Sequence, residues 1–368
     1  MNISTTKKEL QSAFSKLTKT TQVKSQNPLV NYTYISSGAH GVTLHSTDME
    51  VGIKTQITAS VNTNGEGLFP TSEVNDIISV IEEGRVDIDI AGPHINIKSE
   101  KGISFDIPTV PFQEYPEIPE NKHEALFTIE TNKLKNIISS LLYAINAEPT
   151  KPALNGAYFN FSQDKIDFVA TDGHRLVKIT RQNETNISQG YIIPKKYLNI
   201  LNTFLDGQKE TSLIFSEDHV FSNNGKDVFY SKIIDEKFPN YNAVIPESNP
   251  EELNAQKTEM LNNIKAASIA TNKNTNQISL NFSEGKVYFK SVNQPESKTV
   301  YAPIKSAEYK GEELAIGFNA LYLKEAVGKY PSEDIFFTFK DANSATLFLP
   351  KENDQKTIIL LMPVRINE

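Results

Sequence analysis

The chain repeats itself about every 125 residues, and that period constrains its fold more than any other feature. Leu10, Ala13, Phe14 and Leu17 stand at i, i+3, i+4 and i+7. Leu134, Ile137, Ile138 and Leu141 repeat the spacing 124 residues later, and Met260, Ile264 and Ala267 follow 126 residues after Leu134, Ile138 and Leu141. Each set paints one face of a helix. A second helix recurs as well. Phe69-Pro70-Thr71-Ser72-Glu73 leads into Val74, Ile77, Ile78 and Ile81; Ile193-Pro194-Lys195-Lys196 leads into Tyr197, Leu198, Leu201 and Leu205; Phe318-Asn319 leads into Leu321, Tyr322, Leu323 and Val327. Proline suits a first helical turn because its missing N–H would be unpaired there, and Gly84 and Gly207 stand where glycine stops belong. Between the helices run alternating segments such as Val86-Asp87-Ile88-Asp89-Ile90 and Lys286-Val287-Tyr288-Phe289, which read as half-buried antiparallel strands. The linker Phe112-Gln113-Glu114-Tyr115-Pro116-Glu117-Ile118-Pro119 returns 126 residues on as Phe238-Pro239-Asn240-Tyr241-Asn242-Ala243-Val244-Ile245-Pro246. The expected class is α+β: three similar domains, each two helices packed on antiparallel sheet, over 1–120, 121–250 and 251–368.

Composition narrows the chemistry. With no cysteine, disulfides, thiolate metal sites and cysteine nucleophiles are excluded. The six histidines are scattered, and no Gly-x-x-x-x-Gly-Lys-Ser/Thr string is present to cradle a nucleotide. Neither a metal nor a cofactor is expected. No apolar run approaches membrane-spanning length, and the opening Met1-Asn2-Ile3-Ser4-Thr5-Thr6-Lys7-Lys8 leads into polar sequence, so a cytoplasmic protein is expected.

The sharpest local string is Ala170-Thr171-Asp172-Gly173-His174-Arg175-Leu176. On its residues alone it is a hairpin, since Asp-Gly between two apolar runs supplies the positive φ that a tight turn needs. A catalytic Asp172–His174–Arg175 set is the alternative, but no nucleophile, metal set or second carboxylate pair accompanies it at a recognisable spacing. Together with Leu154-Asn155-Gly156, the Phe238-Pro239-x-Tyr241 linker and the terminal Met362-Pro363-Val364-Arg365, the string resembles the bacterial DNA sliding clamp, the beta subunit of DNA polymerase III, over the whole chain. The resemblance implies a non-enzymatic ring. Two copies join head to tail around duplex DNA and tether the replicative polymerase, the clamp loader, repair polymerases and other partners carrying a clamp motif. Those partners insert a short peptide into a groove that would involve Leu154, Thr171, Gly173, His174, Arg175, Leu176, Pro239, Val244, Leu360, Met362, Pro363, Val364 and Arg365. Aliphatic side chains and a methionine suit an adaptable pocket, with His174 and Arg175 as polar handles. Plain core packing is the alternative for Leu154, Leu176 and Val244.

A net charge of −8 is unfavourable for plain electrostatic DNA binding, so the charge must be segregated. Segments 5–20, 131–147 and 257–273 carry +3, +2 and +2, and 194–206 and 318–330 carry +1 each, whereas 69–83 carries −4. The remaining chain carries −13. The expected DNA contacts are Lys24, Lys133, Lys135, Lys151, Lys195, Lys196 and Lys265; for any one of them the alternative is a lysine that merely solvates a polar helix face. Departures from the family pattern fall at Pro152 and Ala153, where relatives carry aromatic residues, and at Ala243, where a basic residue is common.

Overall fold

A computed structural model describes residues 1–21, 27–38, 41–119, 125–205, 207–283, 285–350 and 356–366. The chain divides into two compact units, one of residues 1–135 and 193–233, the other of 136–192 and 234–368. The middle repeat is thus shared between them, because hydrogen-bonded sheets run on from one repeat into the next.

The first unit holds two sheets. One has the order β5 (Ser60–Thr63), β1 (Asn2–Thr6), β7 (Arg85–Ala91), β8 (His94–Ser99), β9 (Ser104–Pro108). The other runs β10 (Ala125–Glu130), β15 (Glu210–Phe215), β16 (His219–Asn223), β17 (Asp227–Lys232), β4 (Val51–Ile57), β3 (Gly41–Thr47), β2 (Tyr32–Gly38), β6 (Gly65–Pro70). Helices α1 (Lys7–Thr21) and α2 (Thr71–Val80) pack on each other, with Leu10, Phe14 and Leu17 of α1 and Val74 and Ile78 of α2 in the core. Helix α3 (Thr131–Leu141) bridges the two units in sequence, and α4 (Lys195–Phe204) lies in the first.

In the second unit a nine-stranded sheet has the order β14 (Gly190–Pro194), β11 (Gly156–Phe161), β12 (Lys165–Thr171), β13 (Arg175–Gln182), β26 (Lys356–Leu361), β25 (Thr346–Phe348), β24 (Asp334–Phe339), β18 (Glu251–Gln256), β22 (Glu308–Tyr309). A four-stranded sheet follows as β21 (Lys298–Pro303), β20 (Lys286–Asn293), β19 (Gln277–Ser283), β23 (Leu314–Asn319). Helices α5 (Lys257–Ser268) and α6 (Ala320–Lys329) pack together as α1 and α2 do.

The expected helices are all present, and Leu134, Ile137, Ile138 and Leu141 are wholly buried, as are Ile264 and Ala267; Leu321, expected on the buried face of the last helix, is instead 50% exposed. Two further details differ. Pro70 and Pro194 do not occupy the first turn but cap it from the strand before, where an extended ψ feeds the helix. Gly84, with φ +144, lies in the turn into β7 and not at the helix end, since α2 stops at Val80.

Candidate functional site

The turn at 171–175 is built by short side chains hydrogen-bonding back to their own backbone. Thr171 Oγ1 donates to the Arg175 carbonyl at 2.7 Å and accepts from the Gly173 N–H at 3.1 Å. Asp172 Oδ1 accepts from the N–H groups of His174 and Arg175 at 2.9 and 3.1 Å. Gly173 sits at φ +91, where a side chain would be strained. The second carboxylate oxygen of Asp172 accepts from Arg175 Nε at 2.9 Å, and the same guanidinium reaches Glu325 of α6. It also lies over the rings of Tyr322, at 4.3 Å, and Tyr143, at 5.0 Å. Burial pushes the Tyr143 phenol up, with the Arg175 charge opposing it. Asp172 is thereby committed to holding the turn and Arg175 in place. Arg175, expected as a polar handle, is buried, whereas His174 is exposed and stacks on Tyr322 at 6.0 Å between centroids.

Beside this turn lies an apolar floor. Leu176 and Leu360 are cross-strand partners on β13 and β26, both almost fully buried, in a cluster with Val169, Ile192, Phe238, Tyr241, Ala345 and Leu347. Leu154 packs half-buried against it. On the linker and on the segment after β26 the structure leaves apolar groups in solvent: Val244 is 52% exposed, Met362 38% and Val364 36%. Pro239, Gly173 and Arg365 are exposed and Pro363 is half-buried. The terminal segment is fixed at two points. Met362 N–H donates to the His174 carbonyl at 2.9 Å, and Val364 N–H to the Gly317 carbonyl at 2.8 Å. A Cβ at Gly317 would stand 2.3 Å from the Val364 carbonyl oxygen, so only glycine permits this approach. The linker is fixed from below: Tyr241 Oη donates to Asp167 Oδ2 at 2.9 Å, and Lys178 Nζ reaches Asn242 Oδ1 at 2.9 Å and Asp167 Oδ2 at 3.4 Å. Burial alone would raise the Asp167 carboxyl. Hydrogen bonds from Thr180 and Tyr241 and the charges of Lys178 and Lys165 outweigh it and hold the group below its ordinary value.

All thirteen residues expected to form the groove lie in the second unit. Tyr143, Tyr322, Glu325 and Gly317 complete the site and were not read from sequence. The sequence spacing gives Tyr322 only a place on a helix face, and nothing local marks Gly317 as a crossing point.

The lysines divide by what they touch. Lys265 and Lys151 are exposed, and Lys133 is exposed beside Glu130 at 3.1 Å. Lys135 and Lys195 are half-buried, and Lys196 pairs with Asp48. Lys24 lies outside the described residues. Three lysines counted in the helical charge have structural duties. Lys16 is largely buried against Asp227 at 2.6 Å, and Lys7 and Lys257 donate to the carbonyls of Ile81 and Tyr330 at the ends of the neighbouring helices, each at 2.7 Å. Among the described residues no group of His, Asp or Glu could hold a metal ion, and no helix is long and apolar enough to cross a membrane.

Three family models match in succession: the N-terminal domain of the DNA polymerase III beta subunit over 1–119, its central domain over 128–240 and its C-terminal domain over 242–365. The beta sliding clamp of Rickettsia felis is 27% identical over 360 residues, covering 94% of each chain. That of Treponema pallidum is 25% identical over 327 residues, covering 87% of this chain and 88% of the other. Among solved structures, a sliding clamp from Bartonella birtlesii bound to griselimycin superposes with a TM-score of 0.94 at 26% identity, covering 100% of both chains. The DNA polymerase III subunit beta of Pseudomonas aeruginosa shares the fold, with a TM-score of 0.92 at 24% identity and the same full coverage.

Proposed function

Because the chain belongs to the DNA polymerase III beta subunit family, the bacterial DNA sliding clamps that act as processivity factors, we propose that two copies close head to tail around duplex DNA. One observation carries this reading. Strands β4, β13 and β21 are repeat equivalents, starting at residues 51, 175 and 298, and β9, β17 and β26 are the last strands of the three repeats. Two pairings are made within the chain: β17 lies antiparallel on β4, and β26 on β13. The remaining members, β9 and β21, each stand at the free edge of a short sheet. A free edge is a template for another strand. Laying β9 of one copy on β21 of the next would join sheets of five and four strands into a nine-stranded one, like the sheet already in the second unit. Ile103, beside β9, and Tyr301, on β21, are 45% and 53% exposed, as a covered edge requires. The contact is heterologous, and it closes when its rotation divides a circle.

A closed ring holds DNA by topology, so a few weak phosphate contacts suffice and a net charge of −8 is tolerable. Lys265 and Lys151 are the best placed for them, with Lys133, Lys135, Lys195 and Lys196 second because burial or a carboxylate restrains them. Replicative and repair polymerases, the clamp loader and other partners would dock a short apolar peptide over Leu176 and Leu360, between the rim of Val244, Met362 and Val364 and the His174 turn. The domains divide near residues 120 and 250: the first point falls between the N-terminal and central matches, and the second just inside the C-terminal match, which begins at 242. The chain works in the cytoplasm as a scaffold without catalysis of its own.

Two measurements test this. Mass in solution is expected near twice 41.1 kDa, and Tyr301→Asp is expected to yield monomer. Protein loaded on circular DNA is expected to leave when the circle is cut. Retention on the linear product would overturn encirclement.

A further inference from the structure

The turn at 171–175 has a copy in the first repeat, at 47–51. Thr47 Oγ1 donates to the Val51 carbonyl at 3.1 Å and accepts from the Met49 N–H at 3.1 Å. Asp48 Oδ1 accepts from the N–H groups of Glu50 and Val51 at 3.0 and 2.7 Å. Met49 takes φ +78, where Gly173 takes +91. The next residue on each strand is the floor position: Gly52 in the first copy, Leu176 in the second. Their cross-strand partners are Tyr230 and Leu360. The backbone of the groove therefore exists twice in one chain.

Only one copy is open. In the other, the phenol ring of Tyr230 lies across Gly52 so closely that a Cβ there would stand 2.0 Å from its Cζ. The Tyr230 hydroxyl is hydrogen-bonded to His45 Nε2 at 2.7 Å. Tyr230 is 3% exposed. Behind it, Tyr115 of the first linker packs edge-on against His45, as Tyr241 of the second linker backs the open groove. The glycine is required for the ring to fit, and the histidine fixes its tip.

We propose that Tyr230, seated on Gly52 and held by His45, is a built-in plug in a second docking groove, so that each chain offers partner peptides one site instead of two. This rests on the reading of the 171–175 groove as the docking site. A ring of two chains then presents two grooves.

The test uses the full-length dimer and a fluorescein-labelled synthetic hexapeptide carrying two leucines and a phenylalanine. The wild type is expected to bind one probe per chain, and Met362→Glu to bind none. Gly52→Leu with Tyr230→Leu gives the closed copy the floor residues of the open one, with the same number of side-chain heavy atoms. It is expected to bind two probes per chain, and to keep one when Met362→Glu is added. Tyr230→Ala, which vacates the ring alone, is the second route to the same gain. Conversely, Leu176→Gly with Leu360→Tyr is expected to weaken the resident site by about tenfold or more, or roughly 1.4 kcal/mol. If Met362→Glu leaves the probe bound, the docking reading itself is wrong. If Met362→Glu removes it while both Tyr230 variants, folded and dimeric, still bind one per chain, the docking reading stands and the plug is overturned.

Discussion

The seam where β17 lies on β4 and the seam where β26 lies on β13 share a backbone plan, yet their fixings lie in different places. At the first, Lys16 of α1 reaches into the seam and pairs with Asp227, which also accepts from Thr55 Oγ1 at 2.5 Å. Burial, with Lys54 nearby, pushes His45 down to about 3, so its imidazole is neutral beside Tyr230. At the second seam the fixing lies beneath the linker, where Asp167 gathers Thr180, Lys178 and Tyr241. One seam is locked at its Asp227–Thr55 end and filled by Tyr230. The other is locked from below, which leaves its upper surface free to receive something. Repetition thus supplies the scaffold, and a few side chains decide which copy becomes a site.

The largest expected effect tests the first lock. Lys16→Met leaves the Asp227 carboxylate buried without its cation, and such a loss costs about 3 kcal/mol. Chemical denaturation is expected to show it, with little change in peptide binding in the second unit. A loss under about 0.5 kcal/mol would mean that the seam does not depend on the pair.

The second lock is expected to weigh less and to depend on pH. Tyr241→Phe removes one hydrogen bond to a buried carboxylate and is expected to cost about 1–2 kcal/mol. Because the Asp167 carboxyl is held below its ordinary value of 3.8, it contributes stability above that pH, and this is lost as the pH falls through its depressed value. Asp167→Asn is therefore expected to flatten the acid limb of the stability curve. An unchanged limb would place the acid sensitivity elsewhere.

Much of this was legible in the sequence, because helix periodicity and linker strings survive the divergence of the repeats. Leu10 and Phe14 announce their burial by spacing alone, and Asp172-Gly173 announces its turn. Less was legible where the same backbone is made with other residues. Asp48-Met49-Glu50 forms the turn of Asp172-Gly173-His174 without the glycine that signals it, since the aspartate and threonine hydrogen bonds carry the geometry. A count of lysines is blind in a similar way. Lys16 and Lys265 look alike on helices of the same type, and only the partner, Asp227, distinguishes a buried lock from a surface charge. The burial of Arg175 is not legible locally, because Glu325 and Tyr322 come from 150 and 147 residues away.

The smallest expected effect on stability concerns the rim of the open seam, and there stability and binding should separate. Gly317 lies on β23, and its carbonyl receives the Val364 N–H at 2.8 Å. A methyl group at Gly317 cannot coexist with the Val364 carbonyl oxygen in this position, but Met362, Val364, Arg365 and Ile366 are exposed, so this segment can lift away. Gly317→Ala is therefore expected to cost under about 1 kcal/mol in denaturation, since surface adjustments seldom cost more. Probe affinity is expected to fall by about tenfold, because the rim residues Met362 and Val364 leave their places. In a chain ending at Leu361 the Met362 and Val364 side of the rim is already gone, and the substitution should then change nothing further. An effect that persisted in the shortened chain would assign Gly317 to the strand itself and leave the rim to be held by the Met362 to His174 bond alone.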